Sequence, residues 1–346
     1  MTNGTPTTAG LKPLLAKLAE GATLSEDESA DAFEIMMSGE ATAAQIGAFL
    51  MALRLRGETV NEITGATRTM RDKMVKIRAP SRSIDVVGTG GDAHGTYNIS
   101  TATALVVAGC GIPVAKHGNR AFSSQSGAAD VLDTLGVNLE ASPELVQRSI
   151  VEAGIGFLLA PIYHSAMRHV GPARAEMGIR TIFNILGPMS NPATVKRLLV
   201  GTFSEHWIEP MATVLGKLGA ERAWVVHGSD GMDELTTTGP SKVAEYKNGK
   251  VTLFEVTPED ADLPRARLED LKGGTPVENA TAIGALLSGD DGPYRDIVLL
   301  NAAAALIVAG SVGNLRDGAV LAARSIDEGA AKAALEGMLT IVGKAL

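Results

Sequence analysis

The sequence is poor in cysteine, in basic residues and in long apolar runs, and each shortage excludes a class of protein. Cys110 is the one cysteine, which excludes an internal disulfide and a cysteine-rich metal site and fits a reducing cytoplasm. A formal net charge of −8 argues against a binder of duplex DNA, which normally carries a basic surface. The most apolar stretches, ALVVAGCGIPVA and NAAAALIVAG, contain glycine and are too short to span a bilayer.

Length and composition are those of an ordinary soluble protein. With 346 residues the chain is long enough for two domains, and 45% hydrophobic with 20% charged residues is typical of globular proteins. The first ten residues, MTNGTPTTAG, have no basic region and no apolar core. We therefore expect a frayed tail there and no signal peptide.

The first part of the chain, residues 11 to 77, shows the pattern of a small helical bundle. Apolar residues recur at helical spacing, and Gly39 and Gly57 stand where helix ends favour a positive φ. Three helix starts fit the capping box, in which a side chain and a backbone amide satisfy each other: Ser25 with Glu28, Thr42 with Gln45, and Thr59 with Glu62.

Beyond Ala79-Pro80, short β-like runs alternate with helical ones. Strands are predicted at 84–87, 112–115, 156–160, 197–202 and 222–227, and helices at 100–109, 126–135, 143–153, 205–218, 277–287 and from about 299. This alternation predicts a mainly parallel sheet covered by helices on both faces. A hairpin over 243–256, turning at Asn248-Gly249, predicts a local antiparallel addition. The fold class is therefore α/β, with a helical domain over 1–79, joined by helices from about 169–192, and a large α/β domain over 80–346.

A gap in negative charge marks the most informative stretch. Between Asp92 and Asp130 there is no carboxylate, although 39 Asp and Glu in 346 residues would place about four there. The same stretch keeps the cations Lys116 and Arg120 and two histidines. Cations without competing anions, glycines that expose the backbone, and hydroxyls at a helix start suit a highly phosphorylated ligand.

The segment GTGGD (88–92) follows the strand IDVV and precedes a helix that begins near Ser100. In open α/β sheets ligands bind beyond the carboxyl end of a strand, and glycines let backbone amides approach phosphate oxygens. No Gly-Lys-Ser/Thr follows, so this is not a Walker loop. Gly88-x-Gly90-x-x-Ala93 matches the loose dinucleotide pattern, but no acidic residue lies about twenty positions on to hold a ribose. A tight glycine turn without a ligand is the alternative.

Five segments in this order resemble the anthranilate phosphoribosyltransferase family: GTGGD, NIST (98–101), KHGNR (116–120), residues 161–192, and GSDGMDEL (228–235). The resemblance covers nearly the whole chain. It implies a small helical domain against a large α/β domain, ligands in the cleft between them, and usually a homodimer. The implied reaction joins anthranilate to phosphoribosyl pyrophosphate in tryptophan synthesis.

The resemblance also assigns the residues that bind the phosphoribosyl donor. Physical chemistry agrees for Ser100 and Thr101, whose helix start favours phosphate, and for Lys116, which we expect to supply a mobile point charge. Arg120 has an alternative role as a structural ion-pair partner. The implied donor site comprises Gly88, Gly91, Asp92, Thr96, Asn98, Ile99, Ser100, Thr101, Lys116, His117, Gly118, Asn119, Arg120, Ala121, Phe122, Ser123, Ser124 and Ala128.

Asp233 and Glu234 follow the strand RAWVVH, and such a pair alone is typical of a solvated turn. By resemblance they bind Mg²⁺, with Ser100 adding a hydroxyl. Mg²⁺ prefers a few carboxylates together with water and phosphate oxygens. The metal would neutralise the charge that develops on the departing pyrophosphate.

The resemblance places anthranilate at Gly88, Asn119 and Arg174, with His117, Tyr163 and His164 nearby. Arg174 suits this role because a guanidinium binds a carboxylate through two parallel hydrogen bonds. An aromatic amine is already a neutral nucleophile at pH 7, so His117 is expected to position the acceptor more than to act as a base. No covalent nucleophile is required, and we expect a loose transition state with inversion at C1′.

One position departs from the family pattern, and two other functions are alternatives. Ala128 stands where the family often has serine, so one hydroxyl contact to the donor is lost. A pyrimidine nucleoside phosphorylase shares the architecture but would bind inorganic phosphate and would not need the Asp233-Glu234 pair. A non-catalytic homologue that binds nucleic acid would have a basic groove and decayed motifs, whereas this chain is acidic and its motifs are complete.

Overall fold

The computed structural model describes residues 10–90, 94–121 and 125–344. The chain forms two compact units. The first, the helical unit, contains the chain up to Val75 together with Pro161–Ser190. The second, the sheet unit, contains Lys76–Ala160 and the chain from Asn191 onward.

Helices and strands have the following bounds. The helices are α1 Lys12–Ala19, α2 Glu26–Met37, α3 Ala43–Arg56, α4 Val60–Lys73, α5 Ile99–Gly109, α6 Ala128–Thr134, α7 Pro143–Glu152, α8 Ala160–Tyr163, α9 Gly171–Met177, α10 Phe183–Leu186, α11 Ile208–Lys217, α12 Pro276–Leu287, α13 Pro293–Ala309, α14 Leu315–Asp327 and α15 Ala330–Val342. The strands are β1 Ile84–Gly88, β2 Val114–Gly118, β3 Ile155–Leu159, β4 Arg197–Gly201, β5 Arg222–Gly228, β6 Ser241–Lys247 and β7 Lys250–Val256. Short 3₁₀ turns cover Ser165–His169, Gly187–Met189, Glu205–Trp207, Pro258–Ala261 and Leu268–Leu271.

Capping boxes mark the N-termini of three helices in the helical unit. All three predicted capping boxes are confirmed, at the first residues of α2, α3 and α4. Gly39 and Gly57 have φ of +80° and +91°, as expected for residues that end helices. The boxes satisfy backbone amides that a helix leaves unbonded, so sequence neighbours alone fix where these helices begin.

Inside the helical unit, α2 and α4 pack closely around a buried carboxylate. A Cβ on Gly65 of α4 would lie 2.1 Å from the backbone oxygen of Glu26, so only glycine allows this approach. Glu62 is fully buried; it accepts hydrogen bonds from the amides of Leu24 and Thr59, both at 2.8 Å, and pairs with Arg56. These donors compensate the loss of water around the charge.

The sheet unit contains a seven-stranded sheet in the order β3-β2-β1-β4-β5-β6-β7. The first five strands in this order are parallel, and β6 and β7 are added antiparallel, as the Asn248-Gly249 hairpin predicted. Runs of consecutive buried residues in β1 to β5 show that both faces of this part are covered. The predicted fold class is therefore confirmed.

The main error in the predicted elements concerns β2. It was expected at 112–115, but the strand runs from Val114 to Gly118 and includes Lys116 and His117. Pro113 has no amide to donate to a ladder, which favours a strand that begins after it. Other boundaries differ as well. The helix expected from about 299 begins at Pro293, and α6 begins at Ala128 because Gly127 is extended at φ −89° and ψ 172°. Residues 205–218 form a 3₁₀ turn followed by α11.

None of the helices in the described parts of the chain is long and apolar enough to cross a membrane.

Candidate functional site

The strand order has one point at which the connections reverse direction, and it lies between β1 and β4. From β1 the chain proceeds to β2 and β3 on one side, and then returns to β4 and β5 on the other. The last residues of the two strands, Gly88 and Gly201, are paired at the carboxyl edge of the sheet. Such a switch point is where open α/β sheets bind ligands. The glycine loop that the sequence singled out begins here.

A carboxylate from a distant loop occupies this edge. Oδ2 of Asp233 accepts hydrogen bonds from the amide of Gly90 at 2.7 Å and the hydroxyl of Thr89 at 3.4 Å. A Cβ on Gly88 would lie 2.5 Å from that oxygen, and one on Gly201 would lie 1.5 Å from the backbone oxygen of Asp233. Gly88 was expected to make room for phosphate. The structure shows that it makes room for Asp233.

The loop that carries Asp233 and Glu234 connects β5 to β6, and buried side chains hold it. Asp230 accepts hydrogen bonds from the hydroxyls of Thr236 at 2.6 Å and Thr238 at 2.7 Å. Asn301 of α13 binds both backbone groups of Leu235, accepting from its amide at 3.0 Å and donating to its carbonyl at 2.8 Å. Asn301 was not among the predicted site residues. Its signal is an amide side chain within the apolar run of α13.

The chemistry of this edge fits Mg²⁺. The described residues contain no group of three or more His, Cys, Asp or Glu side chains arranged as a metal-binding cluster. Asp233 and Glu234 instead offer two carboxylates, and Ser100 offers a hydroxyl. Mg²⁺ typically binds such a set when substrate phosphates and water complete its coordination.

Helix α5 begins beside this edge, as predicted. Ser100 is half-buried in its first turn, whereas the side chains of Ile99 and Thr101 are buried and leave only backbone groups for a ligand. The Asn98 side chain is engaged within the protein: Oδ1 accepts from Ser126 at 3.1 Å and from Asn279 at 2.8 Å. Asn98 therefore anchors neighbouring segments in addition to any contact with a ligand.

Lys116 differs from the expectation of a mobile point charge. It is 2% exposed, and its ammonium donates to the carbonyl oxygen of Val86 at 2.7 Å and to Oγ of Ser100 at 3.2 Å. Burial lowers the pKa of Lys116, and the negative charges of Asp85, Glu234 and Asp233 oppose that shift. The expected mobility was wrong because the predicted strand ended at Ala115, whereas β2 continues to Gly118 and includes Lys116.

Two buried polar residues beside Lys116 were also missed. Asp85 lies in β1; its carboxylate accepts the amide of His117 at 3.1 Å and the side-chain amide of Asn191 at 2.7 Å. Burial raises the pKa of Asp85 to about 6, while Asn191 and the charge of Lys116 oppose the shift. The signal for Asp85 was a charged residue in the middle of a strand that is otherwise apolar.

Asp130 binds described residues on both sides of 122–124, in the segment that follows β2. Its carboxylate accepts the amides of Ala121 at 2.9 Å and Gly127 at 3.0 Å and pairs with Arg120 at 3.0 Å. Burial of Asp130 raises its pKa, but these amides and Arg120 outweigh burial, so the pKa is lowered. Arg120 thus has the structural ion pair that was its alternative role. It remains more than half exposed, and such pairs contribute little to stability.

The remaining described residues of the predicted donor site also lie in the sheet unit. Gly118 ends β2, and a Cβ there would lie 2.7 Å from the Phe157 ring and 3.4 Å from the Cβ of Ala128. Asn119 is exposed, and its side chain accepts the amide of Arg120 at 2.8 Å. Thr96 forms an antiparallel bridge with Lys272. The predicted residues Gly91, Asp92, Phe122, Ser123 and Ser124 lie outside the described residues.

The predicted acceptor residues of the helical unit are partly buried. The guanidinium of Arg174 in α9 lies 5.0 Å from the centre of the Phe183 ring, and burial lowers its pKa. Tyr163 and His164 are buried. Burial lowers the pKa of His164 to about 4, although a hydrogen bond with the Ser190 backbone acts to raise it. His117 of the sheet unit is also buried.

Residues 81–332 match the family model described as the glycosyl transferase family, a/b domain. Residues 12–74 match that of the glycosyl transferase family, helical bundle domain. The anthranilate phosphoribosyltransferase of Rhodospirillum rubrum is 62% identical over 339 residues, which cover 98% of each chain.

Solved structures agree with this similarity. The anthranilate phosphoribosyltransferase of Thermus thermophilus superposes with a TM-score of 0.90 at 45% identity, over 95% of this chain and 98% of that one. The Saccharomyces cerevisiae enzyme in complex with PRPP and Mg has a TM-score of 0.88 at 28% identity, over 97% and 98%. The same yeast enzyme has been solved with 4-fluoroanthranilate, with a TM-score of 0.86 at 27% identity over 96% and 97%. The chain therefore belongs to the anthranilate phosphoribosyltransferase family of glycosyl transferases.

Proposed function

We propose that the protein transfers the 5-phosphoribosyl group from phosphoribosyl pyrophosphate to anthranilate, a step of tryptophan synthesis. The observation that carries this proposal is the position of Asp233 on the glycine loop at the switch point of the sheet. A metal-binding carboxylate beside a phosphate loop suits a pyrophosphate leaving group. It is not needed by a phosphorylase that binds inorganic phosphate.

The donor binds at the carboxyl edge of the sheet unit. The free amides and dipole of the first turn of α5 favour its phosphates, and Ser100 offers a hydroxyl there. The exposed residues Asn119 and Arg120 after β2 bind the donor from the neighbouring loop. Gly91, Asp92 and the segment 122–124 are proposed to complete this site on the family resemblance alone.

Asp233 and Glu234 hold Mg²⁺ with the help of Ser100. The metal supplies a positive charge to the leaving pyrophosphate when it is bound. The complex of the yeast relative with PRPP and Mg supports this assignment. In this chain the Gly90 amide and the Thr89 hydroxyl orient Asp233, and Asn301 fixes the adjacent Leu235, so the carboxylates are preorganised for the ion.

Arg174 binds the carboxylate of anthranilate. Its guanidinium lies over Phe183, which holds the side chain in place and leaves a planar fork suited to two parallel hydrogen bonds. Asn119 and Gly88 take part in acceptor binding, and His117 contributes by position. The complex of the yeast relative with 4-fluoroanthranilate supports an aromatic acceptor of this class.

The chemical step needs orientation and stabilisation of charge. The anthranilate nitrogen forms a bond to C1′ while the bond from C1′ to the pyrophosphate oxygen breaks, and the nitrogen then loses a proton. The amine is neutral at pH 7, so it attacks without prior deprotonation. Attack opposite the leaving group inverts C1′, and the protein contributes by aligning the two reactants.

The protein acts as a homodimer in the cytoplasm. Support for association comes from α3, where Leu55 is 80% exposed and Met51 41%. The single cysteine fits a reducing compartment. Light scattering at micromolar concentration is expected to give twice the mass of the chain, and a monomeric mass would contradict this part of the proposal.

The proposed reaction is tested by following anthranilate fluorescence after mixing the purified protein with phosphoribosyl pyrophosphate, with and without Mg²⁺. We expect a decay that requires the donor and Mg²⁺. Parallel reactions with thymidine or uridine and inorganic phosphate test the phosphorylase alternative. Phosphorolysis without consumption of anthranilate would overturn the proposal.

A further inference from the structure

Strands β1 and β2 are neighbours in the sheet, but a regular backbone ladder joins them over only a short part of their length. β1 pairs with β4 at five positions, from Ile84 with Arg197 to Gly88 with Gly201. β2 pairs with β3 at five positions as well. In contrast, β1 pairs with β2 at one position, Ile84 with Val114. The regular ladder between β1 and β2 is therefore interrupted toward their carboxyl ends, where the proposed donor site lies.

Polar side chains replace the missing backbone hydrogen bonds in this gap. The Asp85 carboxylate accepts the amide of His117 at 3.1 Å. The ammonium of Lys116 donates to the carbonyl of Val86 at 2.7 Å, and the amide of Asn191 donates to the carbonyl of Ala115 at 2.8 Å. Each bond joins a side chain to a strand backbone. We call Asp85, Lys116 and Asn191 the buried seam.

Asn191 lies outside the two strands and connects them through its side chain. Its side-chain amide donates to both Asp85 at 2.7 Å and Ala115, and its oxygen accepts the amide of Ala193 at 2.8 Å. Asp85 is fully buried and Asn191 is 2% exposed. Ionised and amide groups buried this deeply are costly unless they are paired. The seam is therefore a specific arrangement that a purely apolar packing of β1 on β2 would not reproduce.

The seam reaches the proposed donor site through Lys116. The Lys116 ammonium also donates to Oγ of Ser100 at 3.2 Å, in the first turn of α5. Since an ammonium can only donate, Ser100 must accept in this bond. The hydroxyl hydrogen of Ser100 then remains available to a phosphate oxygen, and a second lone pair remains available to a cation.

We propose that Asp85 and Asn191 are positioning residues for the phosphoribosyl donor, acting through Lys116 on the Ser100 hydroxyl. This inference rests on the proposed function. The residues contact no substrate themselves: they connect β1 and β2 where the ladder is interrupted and fix the ammonium that orients Ser100. Loss of the seam is thus expected to weaken donor binding while acceptor binding is preserved.

The test uses Asp85→Asn, Asn191→Ser and the exchange variant Asp85→Asn with Asn191→Asp. Asp85→Asn places two amide groups opposite each other, and Asn191→Ser removes the connecting amide while it retains the carboxylate. The exchange variant restores one acceptor facing one donor but moves the negative charge away from β1. Ser149→Ala is the matched control. The buried Ser149 hydroxyl donates at 2.6 Å to the carbonyl oxygen of Ile155, the first residue of β3, at the amino ends of the parallel strands and away from the carboxyl edge.

Donor affinity is measured by calorimetry with phosphoribosyl pyrophosphate and Mg²⁺, and both KM values are measured by anthranilate fluorescence. We expect the donor Kd to rise at least about tenfold in Asp85→Asn and less in Asn191→Ser. The anthranilate KM should stay within about twofold, as expected for a change confined to donor-binding interactions. The exchange variant should recover thermal stability more than donor affinity, and Ser149→Ala should change stability alone.

Folded seam variants with unchanged donor affinity, or with equal increases in both KM values, would overturn the proposal. If Asp85→Asn fails to fold, the milder Asn191→Ser decides by the same criterion. A wild-type protein that binds the donor but leaves anthranilate unconsumed would overturn the proposed acceptor. The calorimetric comparison of the variants would still decide the role of the seam.

Discussion

The helix starts of the helical unit and the carboxyl edge of the sheet are held by hydrogen bonds between residues at very different sequence separations. In the helical unit, Thr42 and Gln45 cap a helix from three residues apart. At the sheet edge, Gly90 binds Asp233 across 143 residues, and Asn191 binds Asp85 across 106. Local contacts fix where helices begin, whereas distant contacts fix where functional groups lie. Changes in the two regions should therefore separate stability from chemistry.

The largest difference between the effect on turnover and the effect on stability is expected from the double variant Asp233→Asn with Glu234→Gln. Turnover should fall at least about 100-fold, because the charges that bind Mg²⁺ are removed. The unfolding midpoint should stay within about 3 °C, since Asn still accepts the Gly90 amide. The matched control neutralises the exposed pair Asp290 and Asp291 and should retain full turnover. Wild-type rates that depend on Mg²⁺ in the first variant would refute the metal role.

The opposite result, a loss of stability without a loss of donor binding, is expected from Glu62→Gln in the helical unit. This change leaves Arg56 and the amides of Leu24 and Thr59 around a neutral group, and the free energy of unfolding should fall by about 3 kcal/mol. The affinity for the donor should be unchanged. Urea unfolding measures the first effect, with Ser25→Ala as a reference that loses about 1 kcal/mol with its cap. A smaller loss in Glu62→Gln than in Ser25→Ala would contradict the importance of the buried carboxylate.

Arg174→Ala tests a residue of the helical unit that is proposed to act in binding. Loss of two charged hydrogen bonds should raise the anthranilate KM about 30-fold, equivalent to about 2 kcal/mol. The donor KM should change less than about twofold, as expected when donor-binding interactions are left intact. Arg174→Lys keeps the charge but loses the planar fork, so it should restore the KM only in part. Equal changes in both KM values would indicate a structural role for Arg174.

The pH dependence of stability should distinguish His164 from Asp85. Because the pKa of His164 is lowered to about 4, its contribution is complete above the unfolded pKa of about 6.5 and is lost on acidification toward 4. Between pH 7 and pH 5 this loss is about 2 kcal/mol. The raised pKa of Asp85 acts oppositely, since stability then falls as pH rises from about 4 to about 6. Urea unfolding of wild type and His164→Gln isolates the histidine; parallel pH profiles would contradict its role.

The difference in sequence separation also explains what the sequence could predict. Capping boxes, the Asn248-Gly249 hairpin and the parallel sheet follow from patterns a few residues long, and all are confirmed. The sequence also placed the glycine loop directly after a strand, and β1 confirms that placement. These predictions needed no knowledge of which distant residues meet.

The contacts between residues at that edge could not be predicted from such local patterns. Lys116 was taken as a mobile charge because one sequence does not show that β2 continues past Ala115. Asp85 gave a usable signal as a charge within an apolar strand, but its partner Asn191 lies more than 100 residues away. The role of Gly88 likewise depends on Asp233. Such pairings follow from the packing of the whole unit.

Hydrogen–deuterium exchange with and without Mg²⁺ and phosphoribosyl pyrophosphate tests most directly that the donor binds at the carboxyl edge of the sheet. We predict slower exchange in peptides that contain Gly88–Gly90, Asn98–Thr101 and Gly228–Leu235. Peptides from α2 and α4 should exchange at unchanged rates. Protection confined to the helical unit, or no protection at saturating donor, would contradict the account.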